Sequence, residues 1–309
     1  MKLTASYVNA RAKNDAAEFI KESEKRYQNE IYSVAEEIAA DENKKIIMLA
    51  GPSGSGKTTT AHILCDYLKT MGKHTEVVSL DDFYLDEDKV PLSEEGELDY
   101  ETVYSLDIER INKCFCEAAE KGETDIPIFS FSERKRTDKT KKISIKNGGL
   151  MIVEGLHALN PLLFESLKKE NLYKLYISVN RSIYDDDGSI LLSSRQMRLI
   201  RRMSRDDIYR GATPQRTFDV WDDVIRGEEK HLYKFKPTAD RQITTLHEYE
   251  PCIFKKRVLE LLSQVSKDSQ DYFYVEETIK GLSFFCSIDE SAVPQESLIR
   301  EFIRGGKYE

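Results

Sequence analysis

Short apolar runs alternate with helical patterns from about residue 46 onward. The candidate strands are the runs at residues 46–50, 77–80, 126–131, 150–153 and 175–179. Near-continuous apolar strands separated by helices indicate a parallel sheet that is covered by helices on both faces. Ligands of such α/β proteins bind at the carboxyl ends of the strands. We therefore expect the residues that carry the chemistry to follow the strands directly.

Residues 15–40 form one amphipathic pattern ahead of the first strand. Its apolar positions recur at helical spacing, at Ile20, Tyr27, Ile31, Val34 and Ile38. The simpler interpretation is a helix that packs on the following domain, and the alternative is a helix that joins two copies in a homo-oligomer. We expect an N-terminal helical segment over 1–44, a main domain over 45–266 and a C-terminal extension packed on it over 267–309.

The composition is that of a folded globular chain. Hydrophobic residues make up 40% and charged residues 33% of the 309 residues, which is enough for a core and argues against disorder. The net charge of −9 argues against nucleic acid as a partner. The N-terminus lacks the apolar stretch of a signal peptide, and no run approaches 18 apolar residues, so we expect a cytoplasmic protein without membrane spans.

A glycine-rich loop follows the first strand and opens a helix. Residues 51–58 match G-x-x-x-x-G-K-[ST], in which backbone N–H groups point inward at phosphate oxygens. We expect Lys57 to reach the β- and γ-phosphates and Thr58 to ligate Mg²⁺. The residues expected to hold the nucleoside triphosphate, ATP or GTP, are Gly51, Ser53, Gly54, Ser55, Gly56, Lys57, Thr58 and Thr59.

The strand at 150–153 ends in a single acidic residue, Glu154. This carboxylate can hold Mg²⁺ or one of its waters. The strand does not end in the adjacent Asp-Glu pair that is typical of a mechanical ATPase, and the sequence lacks the N-K-x-D guanine reader of a GTPase. The sequence therefore favours phosphoryl transfer to an acceptor over hydrolysis.

Two carboxylates, Asp81 and Asp82, follow the strand at 77–80. A kinase needs a carboxylate that takes the proton from the acceptor hydroxyl, and this pair can supply it. A turn or a helix cap is the alternative for two aspartates after a strand. Beside the glycine-rich loop and Glu154, the catalytic interpretation is the stronger one.

Four arginines recur at helical spacings of three and four residues, at Arg198, Arg201, Arg202 and Arg205. A face this positive repels itself unless an anion meets it. We expect the helix to act as a lid, whose guanidinium groups stabilise charge on the transferred phosphoryl group while closure excludes water. Binding of an RNA backbone is the alternative, which the acidic chain and the lack of interleaved aromatic residues disfavour.

These motifs together resemble the uridine kinase / phosphoribulokinase family, and are most similar to its bacterial uridine-kinase-like nucleoside kinase branch. The resemblance is carried by residues 51–58, 79–84, 153–157 and 198–206, and it runs from about Ile46 to the C-terminus. It implies a P-loop α/β fold, with an arginine-rich helical lid and extra helical segments at both ends. It also implies Mg²⁺- and ATP-dependent transfer of the γ-phosphoryl group to the 5′-hydroxyl of a nucleoside.

The resemblance assigns roles to individual residues. Asp81 would be the general base and a Mg²⁺ ligand, and Asp99 would hold the ribose hydroxyls. Lys57, Arg202 and Arg205 would act in catalysis. The remaining implied contacts are those of Tyr84, Phe129, Arg134 and Arg198 with the acceptor, of Arg201, Gln215 and Asp240 with ATP, and of Thr58 and Glu154 with the metal.

Two departures from the family pattern bear on the acceptor. Uridine kinases read the pyrimidine with a Tyr and a His after the third strand, whereas this chain has Phe129, which can stack but not hydrogen-bond, and Arg134 near the His position. The bacterial branch often carries a large N-terminal extension that resembles part of threonyl-tRNA synthetase, whereas this chain has about 45 residues there. A sugar phosphate or pantothenate-like acceptor stays open.

A catalytically silent nucleotide-binding regulator is the rival from another functional class. It is disfavoured because Lys57, Thr58, Asp81 and Glu154 are all retained. We expect a small-molecule kinase whose partner is its acceptor.

Overall fold

The computed structural model describes residues 2–93 and 96–309. Five strands form the central sheet, and five others lie outside it. The strands are β1 (Leu3–Thr4), β2 (Ile46–Ala50), β3 (Thr75–Ser79), β4 (Glu123–Ser130), β5 (Lys135–Ser144), β6 (Leu150–Glu154), β7 (Leu172–Ser178), β8 (Ile183–Tyr184), β9 (Ile190–Leu192) and β10 (Arg241–Thr244).

Helices surround the sheet and extend the chain at both ends. They are α1 (Ala5–Asn14), α2 (Ala16–Ala40), α3 (Lys57–Thr70), α4 (Ile108–Lys121), α5 (Ser194–Arg210), α6 (Pro214–Asp219), α7 (Trp221–His231), α8 (Glu250–Leu262) and α9 (Tyr272–Ser283). Short 3₁₀ turns join them, including one at Leu80–Phe83 after β3 and one at Leu298–Phe302 near the C-terminus. In the part of the chain that the structure describes, no helix is long and apolar enough to cross a membrane.

The central sheet has the strand order β10-β7-β2-β6-β3, and its strands are parallel. Successive residues of β2 point to opposite faces. Ile47 and Leu49 join a core with α2, α3, α5 and α8, whereas Ile46 and Met48 join a second core with α4. The predicted parallel sheet with helices on both faces is confirmed.

One predicted strand lies outside this sheet. The apolar run at 126–131 belongs to β4, which pairs antiparallel with β5 in a separate hairpin. The run is apolar because Ile126 packs against α4, not because it is a central strand. Strand β10, which the sequence did not indicate, takes the edge position beside β7 instead.

The N-terminal amphipathic pattern is a helix, α2, as predicted. Its apolar face is buried within the chain, and the Tyr27 hydroxyl lies 2.7 Å from Thr60 Oγ1 of α3. Thr60 in turn donates to the carbonyl oxygen of Gly56 at 2.6 Å. The helix thus supports the glycine-rich loop from behind.

Candidate nucleotide and acceptor site

The glycine-rich loop joins the end of β2 to the start of α3, at the carboxyl edge of the sheet. Gly54 and Gly56 have φ values of +71° and +85°, in the left-handed region that favours glycine. A Cβ atom on Gly54 would lie 2.8 Å from the carbonyl oxygen of Arg198, and one on Gly56 would lie 2.6 Å from Leu298. The buried Ser55 hydroxyl has no hydrogen-bond partner among the described residues, which suits a loop built to receive a ligand oxygen.

Lys57 and Thr58 lie in the first turn of α3, where the sequence predicted them. The Lys57 ammonium donates to the carbonyl oxygen of Pro52 at 3.3 Å, so it is folded back over the loop. The Thr58 hydroxyl donates to Glu154 Oε1 at 3.4 Å. Glu154 ends β6, and burial together with the nearby Asp81 raises the pKa of its carboxyl to about 7.

Asp81 lies in the 3₁₀ turn after β3 and is open to solvent on one side. The protein that surrounds it on the other sides raises its pKa, an effect opposed by Lys57, Arg210 and Arg205. Asp82 instead accepts a hydrogen bond from the backbone of Phe129 and is near Lys141. Of the two carboxylates, Asp81 therefore belongs to the surroundings of the P-loop lysine.

The oxygens of Thr58, Asp81 and Glu154 fit Mg²⁺. Mg²⁺ prefers oxygen ligands, and it uses one or two carboxylates together with phosphate oxygens and water. Among residues 2–93 and 96–309 there is no cluster of three or more His, Cys, Asp and Glu side chains that could enclose a metal by itself. Burial raises the pKa of both the Asp81 and the Glu154 carboxyl, and the nearby Asp81 adds to the effect on Glu154.

Arg201 is completely buried, and all its N–H groups are used inside the protein. Its guanidinium donates to both oxygens of Glu250 at 2.7 and 2.8 Å, to the backbone and side chain of Thr245, and to the carbonyl oxygen of Gly54 at 3.1 Å. A guanidinium has five N–H bonds, so none is left for ATP. The expected contact of Arg201 with the nucleotide is corrected: Arg201 positions the loop.

Arg198 is also buried, and it pairs with Glu228 of α7 at 2.7 Å. The other oxygen of Glu228 accepts the backbone N–H of Ser53 in the loop at 2.8 Å. The expected contact of Arg198 with the acceptor is corrected for the same reason: its charge is neutralised inside the protein. Glu228, which the sequence did not indicate, links α7, the arginine-containing helix α5 and the glycine-rich loop.

The arginines that face the loop are Arg202, Arg205 and Arg210. All three pair with one carboxylate, Asp206, at 2.9 to 3.3 Å, so this group keeps a net positive charge. Arg202 also donates to the Ser53 hydroxyl at 2.8 Å. Buried residues run along α5 from Met197 to Ile208, so the helix is packed against the core along most of its length, and its action as a lid stays a prediction.

The two other residues expected near ATP are engaged elsewhere. Gln215 donates to Asp219 and Asp271, at 2.9 and 3.1 Å. Asp240 accepts the backbone N–H of Lys174 and precedes β10, at the opposite end of that strand from Thr245 and its contact with Arg201. The expected contact of Asp240 with ATP is therefore corrected, whereas that of Gln215 stays a prediction.

Glu101 lies close to Lys57 and Arg202, and Asp99 is its neighbour two residues earlier in the chain. Asp99 Oδ1 accepts the backbone N–H groups of Glu101 and Thr102, at 3.0 and 3.1 Å, so this oxygen caps a turn. Burial raises the pKa of Glu101 to about 7, although the neighbouring Arg202 and Lys57 lower it. Glu101 was missed in the sequence, where only its proximity to Asp99 could have drawn attention to it.

Aromatic rings pack beside Asp81. Tyr84 contacts Tyr100, Phe129 and Phe131, with ring centroids 5.7 to 6.5 Å apart. Phe129 is buried in this cluster, whereas Phe131 is 63% exposed and offers the open ring face. Arg134 is exposed at the hairpin turn and pairs with Glu87, so its guanidinium is not committed to the acceptor side.

Two histidines border the same region. His157 is buried, and its ring meets that of His231 edge-on, with centroids 5.9 Å apart. Burial and the neighbouring His231 lower the pKa of His157 to about 3, so its ring is neutral at pH 7. The His157 ring also lies within hydrogen-bonding reach of the backbone of Glu101.

Sequence comparisons relate the chain to known proteins. The sequence profile of the phosphoribulokinase / uridine kinase family matches residues 46–248. Uridine kinase of Schizosaccharomyces pombe is 31% identical over 169 residues, and that of Limosilactobacillus reuteri is 26% identical over 176 residues. These matches cover 54% and 56% of this chain, and 33% and 71% of the respective relatives, so the chain spans about a third of the yeast enzyme.

Among solved structures, phosphoribulokinase from Rhodobacter spheroides superposes with a TM-score of 0.45 at 15% identity, covering 66% of this chain and 70% of that one. The family profile itself extends over more than half of the chain and includes the loop, Asp81, Glu154 and the arginine helix. The chain belongs to the phosphoribulokinase / uridine kinase family.

Proposed function

We propose that the protein is a kinase that transfers the γ-phosphoryl group of ATP to the 5′-hydroxyl of a nucleoside. The observation that carries the proposal is the meeting of three groups at the sheet edge: Lys57, the Thr58–Glu154 pair and Asp81. Family members are phosphotransferases that act on hydroxyl groups. The curated relatives named above are called uridine kinases.

Each group has a role in this reaction. The loop amides and Lys57 hold the triphosphate. Arg202 and Arg205 stabilise the negative charge on the oxygens of the γ-phosphoryl group while that group is transferred from ATP to the acceptor. Asp81 accepts the proton of the acceptor hydroxyl as its oxygen attacks phosphorus. Mg²⁺, held by Thr58, Glu154 and Asp81, supplies charge neutralisation for the phosphates when bound.

Asp99 and Phe131 would contact the acceptor. Asp99 caps the turn with Oδ1, which leaves Oδ2 outside that cap, and a carboxylate oxygen accepts hydrogen bonds from sugar hydroxyls. Phe131 gives an exposed ring on which a base can stack. A polyol acceptor without a base is the second candidate, favoured by the two carboxylates Asp99 and Glu101 at the acceptor side.

A phosphoryl-transfer screen of the purified protein tests the proposal. Uridine, cytidine, deoxyuridine, a purine nucleoside and a panel of sugars would be compared with ATP and Mg²⁺ present. We expect turnover of ribonucleosides, and its loss in Asp81→Asn. Turnover of sugars alone would move the assignment to the second candidate, and no turnover with intact ATP binding would point to a regulator.

A further inference from the structure

The C-terminal segment, residues 297–309, packs directly on the glycine-rich loop although it lies beyond the family-matched region. The Leu298 side chain fills the space beside Gly56. Glu301 Oε2 accepts two hydrogen bonds from Thr59, one from its backbone N–H at 3.3 Å and one from its hydroxyl at 2.7 Å. This segment is therefore part of the surroundings of the P-loop helix.

A cavity of 360 Å³ lies between this segment, the start of α3 and the end of α5. Thr58 and Thr59 line it on one side, and Arg205, Tyr209 and Arg210 line it on another. The C-terminal segment closes the third side. Ligand pockets for small molecules start at about 300 Å³, so the cavity is large enough for a nucleoside.

Contacts of its last two residues hold the segment over the cavity. The Tyr209 hydroxyl of α5 donates to Glu309 Oε1 at 2.7 Å. On the α3 side, the Tyr308 hydroxyl donates to Asp66 at 3.0 Å, and its ring stacks on His62 with an interplanar angle of 10°. The last residues of the chain are thus fixed to both helices that border the cavity.

The orientation of a triphosphate in the loop determines on which side the nucleoside of ATP would lie. The terminal phosphate must meet the acceptor near Asp81, and the acceptor side is bounded by Asp99 and Glu101, neither of which lines the cavity. The nucleoside end of the donor must leave the loop on another side. Thr58 and Thr59 belong both to the loop's helix and to the cavity wall, so the cavity is continuous with the loop.

Glu301 shows what this end of the helix binds. An amide N–H at a helix N-terminus and a hydroxyl both donate to its carboxylate oxygen. A phosphate oxygen accepts hydrogen bonds from the same donors, and the helix dipole favours it equally. In the free protein, Glu301 thus lies where an anionic oxygen of a ligand fits.

We propose that this cavity binds the ribose and base of the donor nucleotide, and that the C-terminal segment forms one of its walls. The inference rests on the proposed function, since it needs a triphosphate in the loop. Tyr209 and Tyr308 provide ring faces for the base, and Arg205 and Arg210 face the phosphates. Glu301 occupies the place of a phosphate oxygen on Thr59 until the donor displaces it.

Two probes separate the cavity from the loop. Calorimetry would measure the affinity of the protein for ATP and for inorganic tripolyphosphate. ATP would contact both the cavity and the glycine-rich loop, whereas tripolyphosphate would contact the loop alone. Tyr209→Ala removes a ring from the cavity, and we expect it to weaken ATP binding about tenfold, the value of one lost base-stacking contact, while tripolyphosphate binding stays within about twofold. Tyr274→Ala, at a similarly exposed tyrosine of α9, is the matched control and should change neither affinity.

Glu301→Gln tests the second part. It keeps the shape of the side chain but removes the negative charge, so both ATP and tripolyphosphate should bind several-fold tighter. Unchanged or weaker binding of both probes would overturn the assignment of Glu301. Thermal unfolding of each variant would show that the fold is intact.

The outcomes distinguish the two proposals. If the wild-type protein binds neither probe, the proposed kinase function is wrong, and the assignment of the cavity is wrong as well. If it binds both probes but Tyr209→Ala leaves the ATP affinity unchanged, or weakens both probes equally, the cavity is not the base site and the kinase function stands.

Discussion

The guanidinium of Arg201 donates to the carbonyl oxygen of Gly54 at 3.1 Å, which ties the arginine helix to the phosphate-binding loop from behind. The rest of Arg201 is held by Glu250 and Thr245. A loop that must offer its N–H groups to phosphates needs its carbonyl groups turned away and fixed. Arg201 fixes one of them, so its contribution is to preorganise the loop.

Breaking this buried pair should destabilise the protein. Arg201→Ala leaves the Glu250 carboxylate buried without its partner, and we expect the free energy of unfolding to fall by about 3–5 kcal/mol. Denaturant unfolding measures this. Arg195→Ala is the control, because the Arg195–Glu229 pair is exposed and should contribute less than about 1 kcal/mol. Equal effects of the two substitutions would contradict the assignment.

Asp81 and Asp82 should differ in catalysis. Asp81→Asn removes the proton acceptor near Lys57, and we expect kcat to fall by roughly 10²–10⁴ while ATP still binds. Asp82→Asn affects a carboxylate that accepts a hydrogen bond from the Phe129 backbone, and it should reduce kcat far less. Steady-state kinetics with the acceptor found in the screen would decide. A variant at Asp81 with more than about half of the wild-type rate would move the role elsewhere.

Arg202 should act mainly in the transition state. Its guanidinium reaches the Ser53 hydroxyl of the loop and is only partly neutralised by Asp206. We expect Arg202→Ala to lower kcat more than it raises the KM for ATP, as for a contact that strengthens when charge develops on the phosphoryl group. A change confined to KM would assign Arg202 to ground-state binding instead.

Asp99 should determine the preference for a ribose. Asp99→Asn keeps the Oδ1 that caps the turn but removes the carboxylate charge. We expect the acceptor KM to rise about 10- to 100-fold, because a hydrogen bond to a charged group contributes about 1.5–3 kcal/mol. ATP binding should not change.

Ribonucleosides should be preferred over deoxyribonucleosides in the wild type, and uridine and cytidine should differ by less than about tenfold, since no polar pair reads the base. Strong selection of one base with indifference to the 2′-hydroxyl would contradict this.

Glu101 should make stability depend on pH. Burial raises its pKa to about 7, with Glu228 and Asp99 acting in the same direction and Arg202 and Lys57 in the opposite one. The folded state therefore keeps a proton that the unfolded chain releases near pH 4.5. The corresponding stability is present below that pH and is lost as the pH rises towards 7.

Glu101→Gln removes this ionisation. The variant should be close to the wild type in its free energy of unfolding at about pH 4 and more stable than the wild type near pH 8. Denaturant unfolding across this range measures the difference. Parallel pH profiles of the two proteins would show that Glu101 ionises as freely in the folded state as in the unfolded chain.

The sequence by itself determined the phosphate chemistry. The loop, Lys57 and Thr58 lie within eight consecutive residues, and their geometry follows from the local turn from strand to helix. Asp81 and Glu154 were found because each directly follows an apolar strand, and the carboxyl ends of parallel strands meet at one edge. These predictions depended on local backbone geometry and on a general property of the sheet.

Only the tertiary structure decided which arginines are free. Arg198 and Arg201 look the same in sequence as Arg202, but their partners Glu228 and Glu250 lie 30 and 49 residues away, and no local pattern reveals them. Burial excludes water from these pairs, so their charges are neutralised by each other and not by a ligand.

The same holds for strand pairing and for the C-terminal segment. The apolar run in β4 is equally suited to a sheet core or to packing on a helix, because periodicity records burial and not the partner. Glu301 contacts Thr59 across 242 residues of sequence, and the cavity between them exists only when both ends of the chain pack on one loop. Sequence determined the glycine-rich loop and its lysine, and tertiary packing determined which of the nearby charges are neutralised inside the protein.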